Sequence, residues 1–134
     1  MMELNWNDMV DTQEGLRSMV GRTFVRVEGS VGSGEMVFVD QNGERFVFTH
    51  FQSCCESVDI NDIVGDLEDL VGEPLLIAEE VQGEVPADIE DEMFESYTFT
   101  FYKFATRKGY VDVRWLGESN GYYSESVDLC HQKP

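Results

Sequence analysis

Positive charge is scarce in this chain. Nine Lys and Arg stand against 27 Asp and Glu, a formal net charge of -18 over 134 residues. From Phe46 to Tyr102 there is no Lys or Arg at all. A field of this sign repels nucleic acid and anionic membranes and attracts basic protein surfaces. Direct nucleic-acid binding and membrane association are therefore not expected. High acidity also serves plain solubility. Cysteine is scarce too, with only Cys54, Cys55 and Cys130. An odd count argues against a disulfide framework. No apolar run approaches membrane-spanning length. The acidic start MMELNWNDMVDTQEG has no apolar core of the kind a signal peptide needs. The expected setting is a reducing cytoplasm, and the two adjacent thiols are expected to be buried.

What is present is enough to fold. The chain is 42% hydrophobic and 12% aromatic, compositions that disordered acidic segments lack. The length suits one domain. Short alternating segments dominate. RTFVRVEG (22–29) reads as a strand, and GSVGSG (29–34) as a turn. EMVFVD and ERFVFTHF flank Gln41-Asn42-Gly43, and Asn-Gly between alternating apolar residues is a strong hairpin signal, since both residues tolerate positive φ. Phe46, Phe48 and His50 then share one face, with Val47, Thr49 and Phe51 on the other. DIVGDLEDLVG reads as a short helix, with Ile63, Leu67, Leu70 and Val71 on one face, Asp62 as its cap, and Gly72 and Pro74 as its stop. PLLIAEEV (74–81) is the next strand, followed by an acidic loop. YTFTFYKFAT and GYVDVRWLG are long strands joined across Arg107-Lys108-Gly109, and YYSESVDL closes the sheet.

A repeat runs through these elements. LRSMVGRTFVRVE and LEDLVGEPLLIAEE share an order of Leu, large apolar residue, Val-Gly and strand. Gly43 and Gly109 both sit in hairpin turns. Each half ends in Glu-Ser-Val-Asp-aliphatic, at Glu56 and at Glu125. The expectation is one α+β domain with a mainly antiparallel sheet and short helices. It is built as an internal duplication of a helix-plus-strands unit with pseudo-two-fold symmetry. The repeats span about 13–60 and 64–129, with an acidic insertion at about 82–96. In the two Glu-Ser-Val-Asp segments, Glu, Val and the aliphatic residue fall on one face.

Chemistry-bearing clusters are thin. His50, Cys54, Cys55 and Glu56 supply zinc-type donors. Adjacent residues of an extended chain point apart, however, so the thiols suit one ion poorly. Glu125, if it matches Glu56, adds a second carboxylate. His50, Cys54, Glu56 and Glu125 are thus weak metal candidates, and no metal or cofactor is expected. A reactive thiolate needs a nearby cation, which this region lacks. Asp59, Asp62, Asp66 and Asp69 do not follow a calcium-loop pattern. No phosphate-cradling glycine loop or nucleophile elbow occurs.

The strings CCESVDINDIVGDLEDLVGEP after His50, AEE at 78–80 and FYKFATRKGYVDVRWLGESNGYYSESVDL resemble a family of small uncharacterised bacteriophage-encoded proteins. The resemblance covers about Arg22 to Leu129. It implies a phage protein acting in the bacterial host cytoplasm and carries no catalytic residue with it. The N-terminal segment and the stretch around VPADIEDEMFE lie outside the shared strings, and protein-specific function is expected there.

The functional expectation is a small acidic, non-enzymatic protein. It binds and inhibits a basic host or defence protein that itself handles nucleic acid, in the manner of a DNA mimic, as a monomer or homodimer. The expected contacts are Asp62, Asp66, Glu68, Asp69 and Glu73, and, in the insertion, Glu84, Asp88, Glu90, Asp91, Glu92 and Glu95. One alternative is a small-molecule or nucleotide-signal binder using GESNGYY and some of Arg22, Arg26, Arg45, Lys103, Arg107, Lys108 and Arg114. Another is a structural phage protein without a site.

Overall fold

The computed structural model describes residue 4 and residues 6–51, 55–83, 96–121 and 123–134. Nine strands and one α-helix are defined among them: β1 (Met9–Val10), α1 (Thr12–Met19), β2 (Phe24–Glu28), β3 (Glu35–Asp40), β4 (Arg45–Thr49), β5 (Ser57–Val64), β6 (Ile77–Val81), β7 (Ser96–Thr106), β8 (Gly109–Ser119) and β9 (Asp128–Gln132). Two short 3-10 turns, Trp6–Asp8 and Leu67–Leu70, complete the set. An α+β class with mainly antiparallel strands fits, but the strands form two sheets rather than one. Their orders are β1-β9-β4-β3-β2 and β5-β8-β7-β6.

Local chemistry accounts for most of the elements. Asp11 caps α1 by accepting from the Glu14 amide at 3.1 Å, which satisfies one orphan donor of the first turn. The β3–β4 hairpin turns at Gly43, whose φ is 85°. No non-glycine residue among those described has positive φ, so Asn42 does not share that role. Asp40 does the rest, its Oδ1 accepting from the amides of Asn42 and Glu44 at 2.8 and 2.9 Å. β7 and β8 pair along their whole length across the turn at Arg107-Lys108.

The helix expected over DIVGDLEDLVG does not form. Asp62 and Ile63 belong to β5, paired with Arg114 and Val113 of β8. Gly65 ends that strand with φ of 110°, a conformation open to glycine and strained for other residues. Only Leu67–Leu70 coils, and its cap is Asp66, which accepts from the Glu68 amide at 3.0 Å. The helical spacing still has a consequence, because Ile63, Leu67, Leu70 and Val71 all reach the main core. β6 is shorter than PLLIAEEV suggests. Pro74 has no N–H to give a ladder, and it makes only an isolated bridge to Thr23. The closing strand starts at Asp128, later than YYSESVDL implies.

The two sheets face each other across one core. Phe24, Phe38, Phe46 and Phe48 come from one sheet, and Tyr102, Phe104, Val111, Val113 and Trp115 from the other. Phe38 meets Phe104 at 4.9 Å between ring centroids, and Phe48 meets Tyr102 at 5.0 Å. Each fully buried Phe contributes about 1.5–3 kcal/mol of transfer free energy. Leu16 and Met19 of α1, with Leu70 and Leu75, close the open sides. A smaller cluster of Val37, Val47 and Cys130 with Leu4, Met9, Val39 and Phe51 covers the back of the first sheet. This is the alternation read from ERFVFTHF, with Phe46 and Phe48 in one cluster and Val47 and Phe51 in the other. No helix among the described residues is long and apolar enough to cross a membrane.

Candidate functional site

The chain changes sheets twice. After β4 it leaves the first sheet and enters the second as β5. After β8 it leaves the second sheet and enters the first as β9. The two links meet at His50. Its Nδ1 lies 2.7 Å from the carbonyl oxygen of Ser126. A carbonyl only accepts, so Nδ1 carries a hydrogen and donates it. Its Nε2 lies 3.2 Å from Glu56 Oε1. Nε2 and the Glu56 carboxyl group make the second polar contact of the ring. Asp128 stands 3.8 Å from Nδ1 and accepts from the Phe51 amide at 3.3 Å.

Both repeated segments alternate as the pattern demands. Glu56, Val58 and Ile60 are buried, and so are Glu125, Val127 and Leu129. The two glutamates use different partners. Glu125 accepts hydroxyl hydrogen bonds from Thr98, at 2.8 Å, and from Ser119. Burial pushes its carboxyl up, but hydrogen bonds from Ser119, Ser96 and Thr98 outweigh it and hold the group below the usual carboxylate range. Glu118 moves the other way, raised by burial and then by the carboxylates of Asp59 and Glu125. Gly117 is required here. A Cβ on it would overlap the Glu125 carbonyl oxygen and stand 2.8 Å from the Glu125 Cβ.

The crossing thus brings His50 and Glu56 together but keeps Glu125 apart from them. Cys54 lies outside the described residues. Among those described, no three His, Cys, Asp or Glu converge as metal ligands. The expectation of buried adjacent thiols fails at Cys55, which is exposed and disulfide-bonded. Glu56 takes the buried position beside it. The buried free thiol is Cys130, which sits under Val37 and Val47. Burial, then Asp8 and Asp128, push that thiol up to about 11.

Two polar clefts flank the crossing. One, of about 480 Å³, lies beside Glu35, Thr49, His50, Glu56 and Asp59. The other, of about 360 Å³, lies beside Glu80, Thr98, Thr100, Tyr123 and Glu125. Tyr123 is the one described tyrosine of the GESNGYY loop.

The acidic contact set is only partly free. Asp62 faces Arg114 at 4.0 Å. Glu73 pairs with Arg107 at 2.8 Å. Lys108 donates to the backbone carbonyl of Glu68 at 3.1 Å. Asp69 is half-buried, and its carbonyl accepts from the Thr106 hydroxyl. Asp66 and Glu68 are exposed and make no ion pair among the described residues. Glu84, Asp88, Glu90, Asp91, Glu92 and Glu95 lie outside the described residues. The cation-free window is a property of the sequence alone, since the β7–β8 hairpin returns Arg107, Lys108 and Arg114 to it. Sequence reasoning also passed over Glu79 and Glu80 as contacts. Both are exposed on edge strand β6, where carboxylates discourage strand pairing.

The sequence also marks a second surface. YTFTFYKF is aromatic on both faces, so one set cannot enter the core between the sheets. Tyr97, Phe99 and Phe101 lie on the outer side of the second sheet, in consecutive ring contacts of 5.9 and 6.3 Å.

No curated protein and no solved structure matches the chain at a significant level. The model of a domain of unknown function, DUF7448, matches residues 17–129. That span runs from α1 through β2 to β8 and the crossing, and reaches the start of β9. The chain therefore belongs to the DUF7448 family.

Proposed function

We propose that the chain acts by binding rather than by catalysis, docking its carboxylates on a basic, nucleic-acid-handling protein and blocking it. One observation carries the reading. In a chain of net charge -18, Asp66, Glu68, Glu79 and Glu80 stand exposed on ordered backbone without ion-pair partners among the described residues. Fixed, unpaired carboxylates present negative charge as a phosphate backbone does. They also steer a basic partner to a fast, salt-sensitive encounter. Taken with the resemblance to phage-encoded proteins, the partner is a host or defence protein of the bacterial cytoplasm.

The test is capture from bacterial lysate at low salt, with duplex DNA as competitor. The expected result is a DNA- or RNA-binding protein that DNA displaces. A variant carrying Asp66→Lys, Glu68→Lys, Glu79→Lys and Glu80→Lys, checked for folding by circular dichroism, should lose that protein. Equal capture by the variant would sink the reading.

We further propose that the fold is a duplicated unit whose halves exchange their last strands. The topology supports this. α1 precedes β2-β3-β4, the 3-10 turn Leu67–Leu70 precedes β6-β7-β8, and the two orders β9-β4-β3-β2 and β5-β8-β7-β6 correspond once β5 and β9 trade places. Such an exchange leaves each half with an unpaired sheet edge. Fragments 1–65 and 66–134 should then fold cooperatively when mixed and not singly, as followed by circular dichroism. Independent folding of either fragment would refute the exchange.

A further inference from the structure

The outer side of the second sheet carries a cleft of about 490 Å³. Its lining is set by register. Phe101 stands opposite Arg114, which stands opposite Asp62 on the next strand. Lys103 stands opposite Asp112, and Val81 opposite Phe101. Opposed residues share a face, so these side chains rise together. The Gly83 backbone forms one wall, and a Cβ on it would sit 2.5 Å from the Phe101 ring.

The charge here departs from the rest of the molecule. Among the lining residues Lys103 and Arg114 balance Asp62 and Asp112, with Glu79 beside Lys103 at the rim, whereas the whole chain has a net charge of -18. Both cations keep unused donors. Lys103 makes no ion pair among the described residues, and its ammonium stands 4.8 Å from the Tyr110 ring centroid. Arg114 gives its Nε hydrogen to Asn61 at 2.7 Å and reaches Asp62 only at 4.0 Å.

We propose that this cleft binds a small planar ring bearing one anionic group, of the size and chemistry of a nucleoside monophosphate. Phe101, backed by Phe99 at 6.3 Å, is the stacking platform, a contact worth about 1–3 kcal/mol per base. Lys103 and Arg114 take the anionic group through charge-assisted hydrogen bonds. Asp62 and Asp112 accept from sugar hydroxyls, as carboxylates do in nucleotide sites generally. A volume of this size is ordinary for a small-molecule site. An uncharged ring leaves the two cations without a partner, and a bare anion leaves Phe101 uncovered, so both halves of the ligand are needed. Asp66, Glu68 and Glu80 do not line the cleft, and Glu79 stands beside it, opposite Lys103; the proposal does not depend on the docking role given to them.

Isothermal titration calorimetry of the full chain with adenosine monophosphate, adenosine and inorganic phosphate tests the proposal. One saturable site for the monophosphate is expected, with adenosine weaker and phosphate weaker still. Lys103→Gln should weaken the monophosphate about tenfold, the worth of one charge-assisted hydrogen bond, and leave adenosine unchanged. Phe101→Leu should weaken both ring-bearing probes. Lys103 is on the sheet surface, so the Gln variant keeps the fold and carries the test alone if Phe101→Leu does not. No saturation up to about 10 mM, which places any affinity below the useful range, would overturn the site. So would monophosphate binding that Lys103→Gln leaves unchanged, or phosphate alone binding as tightly as the nucleotide.

Discussion

The His50 ring is held between the carbonyl oxygen of Ser126, 2.7 Å from Nδ1, and the carboxyl group of Glu56, 3.2 Å from Nε2. These residues belong to the two links along which the chain changes sheets. The imidazole therefore ties one crossing to the other, and its side chain and that of Glu56 are almost fully buried.

That geometry predicts coupling. In a double-mutant cycle of His50→Ala and Glu56→Gln, unfolding by urea should give an interaction free energy of about 1–3 kcal/mol. Additivity within about 0.3 kcal/mol would mean that the two groups do not interact across the first link.

Gly117 lies directly under the second link. Gly117→Ala should destabilise by about 3 kcal/mol, the upper part of the overpacking range, because the obstacle is backbone of Glu125 rather than a flexible tip. Gly121→Ala is the comparison. Nothing lies near its Cβ, but its φ is 93°, so only the left-handed strain of about 1–2 kcal/mol is lost. Equal costs at the two positions would argue against the tight crossing.

Glu125 sets a pH dependence. Its folded-state carboxyl lies below the unfolded value. Its contribution to stability is thus complete above the unfolded carboxyl pKa, about 4.3, and is lost as pH falls through the folded value. Asp40 and Glu44 share this sign. For Asp40, hydrogen bonds from Arg22 and nearby amides outweigh burial; for Glu44, the Arg22 and His131 hydrogen bonds lead. Glu118 has the opposite sign, its contribution being lost as pH rises through its raised value. In urea titrations from pH 7 to pH 3, the stability gap between the wild type and Glu125→Gln should narrow below about pH 4. A gap that does not change with pH would refute the assignment.

Cys130 should be chemically silent in the native protein. With its thiol pushed up to about 11, the thiolate fraction near neutral pH falls by on the order of a hundredfold relative to a free cysteine. Its side chain is also closed off from solvent. Maleimide labelling followed by peptide mass spectrometry should find Cys130 modified only under denaturing conditions. Rapid native labelling would show that β9 opens readily.

Facing within a single strand was legible in the sequence. Side chains alternate along a strand whatever its partner, so Phe46 and Phe48 were assignable to one face and Val47 and Phe51 to the other. Glu-Ser-Val-Asp-aliphatic was assignable as buried-exposed-buried in both copies for the same reason. It misled at DIVGDLEDLVG, where Ile63, Leu67, Leu70 and Val71 fit a helical period. Pairing of β5 with β8 and the positive φ of Gly65 outweighed that weak preference. Which strands meet was settled by long-range pairing. Strand pairing joins residues far apart in the chain, and no local pattern says that β5 pairs with β8 or β9 with β4. That choice put His50 beside Glu56 and Ser126 and sent Glu125 to the hydroxyls of Thr98 and Ser119. It also returned Arg107 and Arg114 of the β7–β8 hairpin to Glu73 and Asp62.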